Sequence, residues 1–156
     1  MSQEVNFNLN GDQVKVFVEP QKSLVDLLRN EMELTGTKES CGDGQCGSCT
    51  VLIDGVPFNS CLTLGVAVDG KTVETIEGLA EGDKLHPIQQ AFAENGAVQC
   101  GYCTPGMVMT AKGLLTRNPD PCEEEIRHQM AGNLCRCTGY EKIIDAVKIS
   151  AERMKD

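Results

Sequence analysis

The sequence predicts an α+β protein with a β-rich first half and a helical second half. Near the N-terminus apolar residues alternate with polar ones, as they do in half-buried strands. Beyond residue 85 they recur every three or four positions, as on one face of a helix. Eight of the nine cysteines form two groups of four, one in each half. We therefore expect two small domains over residues 1–78 and 85–156, joined by a polar, glycine-containing linker over 79–84.

The first domain is predicted to be a small mixed sheet with one helix. Alternating apolar residues flank Asn10-Gly11, a dipeptide typical of hairpin turns. Ser23 is a suitable N-cap for a short helix that carries three leucines on one face. A strand over Thr50–Ile53 turns at Asp54-Gly55, and Thr72–Ile76 supplies a last strand.

The second domain is predicted to hold four helices. The first ends at Asn95-Gly96, and the start signals of the others are Thr104-Pro105, Asp120-Pro121 and the capping box Thr138-Gly139-Tyr140-Glu141. Their apolar faces comprise Ile88, Ala91 and Phe92, then Val108, Ala111, Leu114 and Leu115, then Ile143, Ile144 and Val147. Because the connections are short, these helices should pack as an antiparallel four-helix bundle.

Charge and composition exclude several functions. The chain has 14 basic and 23 acidic residues, a net charge of −9, and no basic cluster that would attract nucleic acid. It has no apolar run of the ~18 residues that a membrane span needs, and no secretory signal is visible. Nine cysteines in such a chain indicate a reducing, cytoplasmic compartment, where clustered thiols bind metal or perform redox chemistry.

The first cysteine group has the pattern Cys41-x4-Cys46-x2-Cys49, with Cys61 after eleven intervening residues. This is the spacing of plant-type [2Fe–2S] sites. The glycines of the loop permit positive φ, so that backbone amides can approach inorganic sulfide closely. The sequence therefore predicts a [2Fe–2S] cluster here.

The second group is Cys100-x2-Cys103 and, after thirty-one intervening residues, Cys135-x-Cys137. Each pair directly precedes a predicted helix start, where the helix dipole stabilises thiolates. The spacing indicates a metal site but leaves the metal open, and zinc is the alternative, mainly for this group. Cys122, the ninth cysteine, belongs to neither group and is predicted to be a semi-buried free thiol near a helix start.

Three long motifs carry a family resemblance: CGDGQCGSCTV from Cys41, QCGYCTPG from Gln99, and GNLCRCTGY from Gly132. In this order they resemble the iron–sulfur module of the molybdenum hydroxylases, a family that includes xanthine dehydrogenase, aldehyde oxidoreductase and nicotinate dehydrogenase. The resemblance covers essentially the whole chain. It implies a plant-type ferredoxin-like β-grasp domain followed by a four-helix bundle, each with one [2Fe–2S] cluster.

The resemblance also implies ligands and partners. The first cluster would be held by Cys41, Cys46, Cys49 and Cys61, and the second by Cys100, Cys103, Cys135 and Cys137. A large molybdopterin-binding subunit would lie next to the second cluster, with Gln99 and Cys137 in contact with the molybdopterin cofactor. An FAD-binding subunit would face the first cluster.

We therefore expect an electron-transfer subunit that carries no catalytic residue of its own. No G-x-G-x-x-G loop and no nucleophile–base constellation is present in the sequence. The resemblance suggests a purine or another N-heteroaromatic as the substrate of the complex. Two other functions remain open at this point, a free-standing two-cluster ferredoxin and a zinc-stapled interaction module.

Overall fold

A computed structural model describes residues 1–155, which form a five-stranded sheet and five α-helices. The strands are β1 (Gln3–Leu9), β2 (Asp12–Val18), β3 (Thr50–Ile53), β4 (Val56–Asn59) and β5 (Thr72–Glu74). The helices are α1 (Leu24–Asp26, continued by a π-helical turn over Leu27–Glu31), α2 (Pro87–Glu94), α3 (Thr104–Arg117), α4 (Glu123–Met130) and α5 (Glu141–Arg153). This confirms the α+β class.

The sheet has the strand order β2-β1-β5-β3-β4, with β1 and β5 parallel and the other neighbours antiparallel. The predicted turn forms at Asn10 and Gly11, whose φ angles are 54° and 96°. Asp54 and Gly55 turn the second hairpin in the same left-handed conformation. The α1 segment packs on the sheet, and its buried leucines join the core side chains of β1 and β3.

The helical half has its own core, formed by α2 to α5. The α2 helix packs against α5, and α4 packs against both α3 and α5. All the residues of the three predicted apolar faces are buried, and all except Ala91 belong to this core. Leu79, in the predicted linker, is buried in it as well. No helix within residues 1–155 is long and apolar enough to cross a membrane.

The α3 helix also lies across β3 and β4 and so joins the two halves. Gly113 makes this contact possible, because a methyl group added there would lie 2.4 Å from Pro57 Cγ. Leu52 of β3 belongs to the core of the helices rather than to that of the sheet. One face of the sheet is therefore continuous with the helical core.

Three helix starts differ from the sequence prediction. Cys103 is the N-cap of α3 instead of Thr104, and Cys122 is the N-cap of α4 instead of Asp120. The capping box predicted from Thr138 is wrong: α5 begins after Tyr140, whose φ is 71°. Left-handed backbone at Gly139 and Tyr140 delays the first helical turn, so Thr138 stands two residues before the N-cap; its hydroxyl donates to Cys135 Sγ and accepts from the Tyr140 amide. The Ser23 N-cap and the Asn95 C-cap are confirmed.

Candidate metal centres

The first cysteine group lies where the loop from Cys41 to Cys49 meets the turn after β4. The thiol of Cys46 neighbours that of Cys41, and the thiol of Cys61 neighbours that of Cys49. The carbonyl of Cys49 accepts hydrogen bonds from the Ser60 amide at 3.3 Å and from the Ser60 hydroxyl at 2.7 Å. This pairing fixes Cys61 beside the loop, so the structure brings the four predicted residues together.

Glycines shape the loop around these thiols. Gly44 has a φ of 79°, and a methyl group there would lie 2.3 Å from Leu62 Cδ1. Asn59 Nδ2 donates to the Gly44 carbonyl at 2.8 Å, which ties the loop to β4. Gly47 has a φ of 67°, and a methyl group there would lie 2.5 Å from the Gly132 carbonyl oxygen. A side chain at either position would strain the backbone; at Gly47 it would also collide with a backbone oxygen, whereas at Gly44 it would displace the exposed Leu62 side chain.

The thiols of this group have opposite pKa shifts. Burial, reinforced by the neighbouring Cys49 thiol, raises the pKa of Cys61 to about 12. Burial also acts on Cys46, but hydrogen bonds from the Ser48 and Cys41 amides outweigh it and lower its pKa to about 7. Thiolates packed this closely repel one another, so cations are needed to ionise all four. This donor set therefore fits an iron–sulfur cluster, whose ferric ions supply that charge.

The second group lies between the start of α3 and the loop from α4 to α5. Cys100 and Cys137 are exposed neighbours, while Cys103 and Cys135 are partly buried neighbours against the helical core. The structure thus brings together all four residues predicted from the sequence. As in the first group, the thiols approach one another in pairs.

Hydrogen bonds around Cys135 were not foreseen from the sequence. Its Sγ accepts from the Thr138 hydroxyl at 3.1 Å and from the Thr138 amide at 3.4 Å. Its own amide donates to the Tyr140 hydroxyl at 3.0 Å. Burial alone would raise the pKa of Cys135, but the Thr138 hydrogen bonds outweigh it and lower that pKa. Burial and the Cys135 neighbour raise the pKa of Cys103 to about 12, so this group also needs cations to ionise fully.

The two groups are in direct contact with each other. The Leu134 amide donates to the Cys46 carbonyl at 2.9 Å. The Tyr102 hydroxyl donates to the Glu39 carbonyl, which precedes the first loop. A cavity of about 250 Å³ between the loops is lined by residues of both groups, among them Cys46, Cys103 and Cys135. Nothing in the spacing of the cysteines predicts this contact.

Gln99 is exposed and directly precedes Cys100, one of the exposed pair of the second group. Three large apolar side chains nearby are also exposed, Val98 by 39%, Tyr102 by 46% and Leu134 by 55%. Cys122 is exposed at the start of α4 and joins neither cysteine group. The prediction that this thiol is semi-buried is wrong, because the residue lies ahead of the first turn of α4 on the surface; its position outside both groups is as predicted.

Comparison with known proteins follows the same division of the chain. Residues 7–83 match the family model described as a 2Fe-2S iron-sulfur cluster binding domain, and residues 75–148 match a [2Fe-2S] binding domain. The nicotinate dehydrogenase small FeS subunit of Eubacterium barkeri is 54% identical over 149 residues, which cover 96% of this chain and 95% of that protein. The chain belongs to the small [2Fe–2S] subunits of the molybdenum hydroxylases.

Other members of this subunit family show the same full-length similarity. The nicotine 6-hydroxylase small subunit of Paenarthrobacter nicotinovorans is 46% identical, over 92% of this chain and 87% of that protein. A chain of the crystal structure of quinoline 2-oxidoreductase from Pseudomonas putida 86 superposes with a TM-score of 0.95 at 49% identity, covering 99% of this chain and 96% of that one. The similarity therefore extends over both cysteine groups.

Proposed function

We propose that this chain carries electrons from a molybdopterin-dependent catalytic subunit to an FAD-binding subunit through two [2Fe–2S] clusters. The observation that carries the proposal is the direct contact between the two four-cysteine groups, in which the Leu134 amide donates a hydrogen bond to the Cys46 carbonyl. A bound [2Fe–2S] cluster supplies one-electron redox chemistry. The chain's own residues hold the clusters, fix their separation and present them to the partner subunits.

The proposed ligands of the first cluster are Cys41, Cys46, Cys49 and Cys61, and those of the second are Cys100, Cys103, Cys135 and Cys137. In each group the thiols lie in two neighbouring pairs. This arrangement supports a centre with two irons, each bound by two thiolates, over a single zinc ion.

The exposure of the second group supports its placement against the molybdenum subunit. Cys100 and Cys137 are exposed, and Gln99 lies beside them on the surface. We propose that Gln99 and Cys137 contact the molybdopterin cofactor. The exposed Tyr102 and Leu134 side chains would then be covered by the large subunit, since apolar side chains cluster in subunit interfaces.

The substrate class is inferred from the relatives. The names of two relatives refer to nicotinate and nicotine, and the similar crystal structure is that of a quinoline oxidoreductase. All three compounds contain a nitrogen heteroaromatic ring. We propose that the complex oxidises a compound of this class, a purine or another N-heteroaromatic, in the cytoplasm.

The finer architecture is part of the same proposal. Residues 1–78 would form the ferredoxin-like β-grasp domain, 79–84 the linker, and 85–156 the second cluster-binding domain. The packing of α2 to α5 around one core supports a four-helix bundle in the second domain.

The first test is metal and cofactor analysis of the native complex, purified without oxygen through a tag on this chain. Two irons and two acid-labile sulfides per cluster are expected, together with molybdenum, flavin and two larger subunits. Iron and sulfide on an isolated chain without molybdenum would favour a free-standing ferredoxin. Zinc without sulfide would contradict the electron-transfer role.

The ligand assignment is tested by Cys137→Ala, with Cys122→Ser as the matched control. Cys137→Ala should remove the EPR signal of the second cluster and leave that of the first, because the two thiol groups are separate. Cys122→Ser should leave both signals intact, because Cys122 lies in neither group. Loss of both signals in Cys137→Ala would contradict independent sites.

A further inference from the structure

Asn133 connects the first cysteine loop, from Cys41 to Cys49, to the second, which joins α4 to α5 and carries Cys135 and Cys137. It does so through a buried side chain. Only 4% of the residue is exposed. Its Nδ2 donates to the Gly47 carbonyl at 2.9 Å, and its Oδ1 accepts from the Thr110 hydroxyl at 2.9 Å. Nδ2 also lies 3.4 Å from Thr50 Oγ1. One amide therefore links the second loop to the first loop, to β3 and to α3, and such a satisfied buried network is rigid.

The contact lies between candidate ligands of the two clusters. Asn133 holds the carbonyl of Gly47, and the next residue, Leu134, holds the carbonyl of Cys46. Cys135 follows directly in the chain. The route from Cys46 to Cys135 thus consists of covalent bonds and a single hydrogen bond, that of the Leu134 amide.

The contact between the two loops is closely packed. A methyl group on Gly47 would lie 2.6 Å from Asn133 Nδ2, and one on Gly106 would lie 2.3 Å from the Gly47 carbonyl oxygen. The Gly47 carbonyl also accepts the Thr50 hydroxyl at 2.7 Å. Loss of the Asn133 amide would therefore leave the second loop without its buried anchor on the first.

We infer that Asn133 is a positioning residue that fixes the separation of the two cysteine loops and thereby sets the electronic coupling between the two clusters. This inference rests on the proposed function. With both clusters bound, this coupling would govern the transfer of a single electron; one cluster would lose the electron that the other gains, and no bond or proton would change. Its rate depends on the distance and on the rigidity of the connection.

The test uses Asn133→Asp in the assembled complex. The carboxylate keeps the acceptor for Thr110 but replaces the donor, so that an oxygen faces the Gly47 carbonyl. Thr110→Val is the matched control, because it removes the anchor to α3 and leaves the Asn133–Gly47 hydrogen bond. Asn133→Ser, which adds no charge, takes the place of Asn133→Asp if that variant fails to fold.

Three quantities are measured: iron and sulfide content, the spin–spin splitting of the EPR signals when both clusters are reduced, and the rate of electron transfer between them. We expect full iron content in Asn133→Asp, a reduced splitting, and transfer slowed about tenfold, as when outer partners of metal sites are lost. Thr110→Val should retain the splitting.

Unchanged splitting and rate in a folded Asn133 variant would overturn the inference. An equal loss in Thr110→Val would do the same, because it would indicate general loosening of the core. Loss of one cluster from both Asn133 variants would also overturn it, since the residue would then be needed for assembly. Absence of iron from the unmodified complex would instead refute the proposed function, so the two failures are distinguishable.

Discussion

Replacing Gly47 by alanine should destabilise the iron-loaded chain far more than the same change at Gly42, although both belong to the first cysteine loop. Both glycines have positive φ, 67° at Gly47 and 73° at Gly42. They differ in their surroundings. A methyl group on Gly42 meets nothing within 4 Å, whereas one on Gly47 would lie 2.5 Å from the Gly132 carbonyl oxygen.

The expected magnitudes follow from these two contributions. Left-handed backbone costs an alanine about 1–2 kcal/mol, which is the whole effect expected for Gly42→Ala. Overpacking adds about 1–3 kcal/mol, so Gly47→Ala should lose about 2–5 kcal/mol. Gly106→Ala isolates the clash, because its methyl group would lie 2.3 Å from the Gly47 carbonyl oxygen without a positive φ. Alanine favours a helix by about 1 kcal/mol, yet this variant should still be less stable.

The assay is denaturant unfolding of each iron-loaded variant, followed by visible absorption of the clusters and by far-ultraviolet circular dichroism. Gly47→Ala should also disturb the second cluster, because Gly132 lies in the second loop. Equal midpoints for Gly42→Ala and Gly47→Ala, or a stabilised Gly106→Ala, would show that the two loops are not packed as tightly as the structure indicates.

Three further predictions concern single side chains. Gln99→Ala should keep full iron content but slow turnover of the complex about fivefold, as expected for one lost hydrogen bond. The control Gln45→Ala, in the first loop, should change neither the iron content nor the turnover rate. Thr138→Val removes a hydrogen bond to Cys135 Sγ. It should lower the reduction potential of the second cluster by roughly 40 mV, equivalent to about 1 kcal/mol for one electron. Redox titration measures this shift, and Thr138→Ser, which keeps the hydroxyl, should not show it. Burial of His86, the N-cap of α2, lowers its pKa below 6.5, so the unfolded chain takes up its proton first as pH falls. The denaturant concentration at the unfolding midpoint should therefore decrease as the pH is lowered below about 6.5. The decrease should be smaller in His86→Asn, because asparagine can cap the helix but does not titrate.

The sequence by itself determined the division into two halves and the two sets of cysteines. Asn10-Gly11 produced a left-handed turn because these residue types tolerate positive φ at low cost. The apolar faces of the helices became buried because their period matches that of a helix packed on one side. The Cys41 to Cys49 spacing placed three thiols on one loop through local geometry, which the order of residues encodes directly.

Only the tertiary structure decided how the two halves meet. Asn133 and Gly47 are 86 positions apart, and no periodicity or spacing relates them. Thr138 carries the sequence signal of a helix cap, but α5 begins only at Glu141, and the Thr138 hydroxyl lies between Cys135 Sγ and the Tyr140 amide. The position of α3 across β3 and β4 depends on the close approach of Gly113 to Pro57. Such contacts arise from packing between distant segments, which local sequence patterns do not contain.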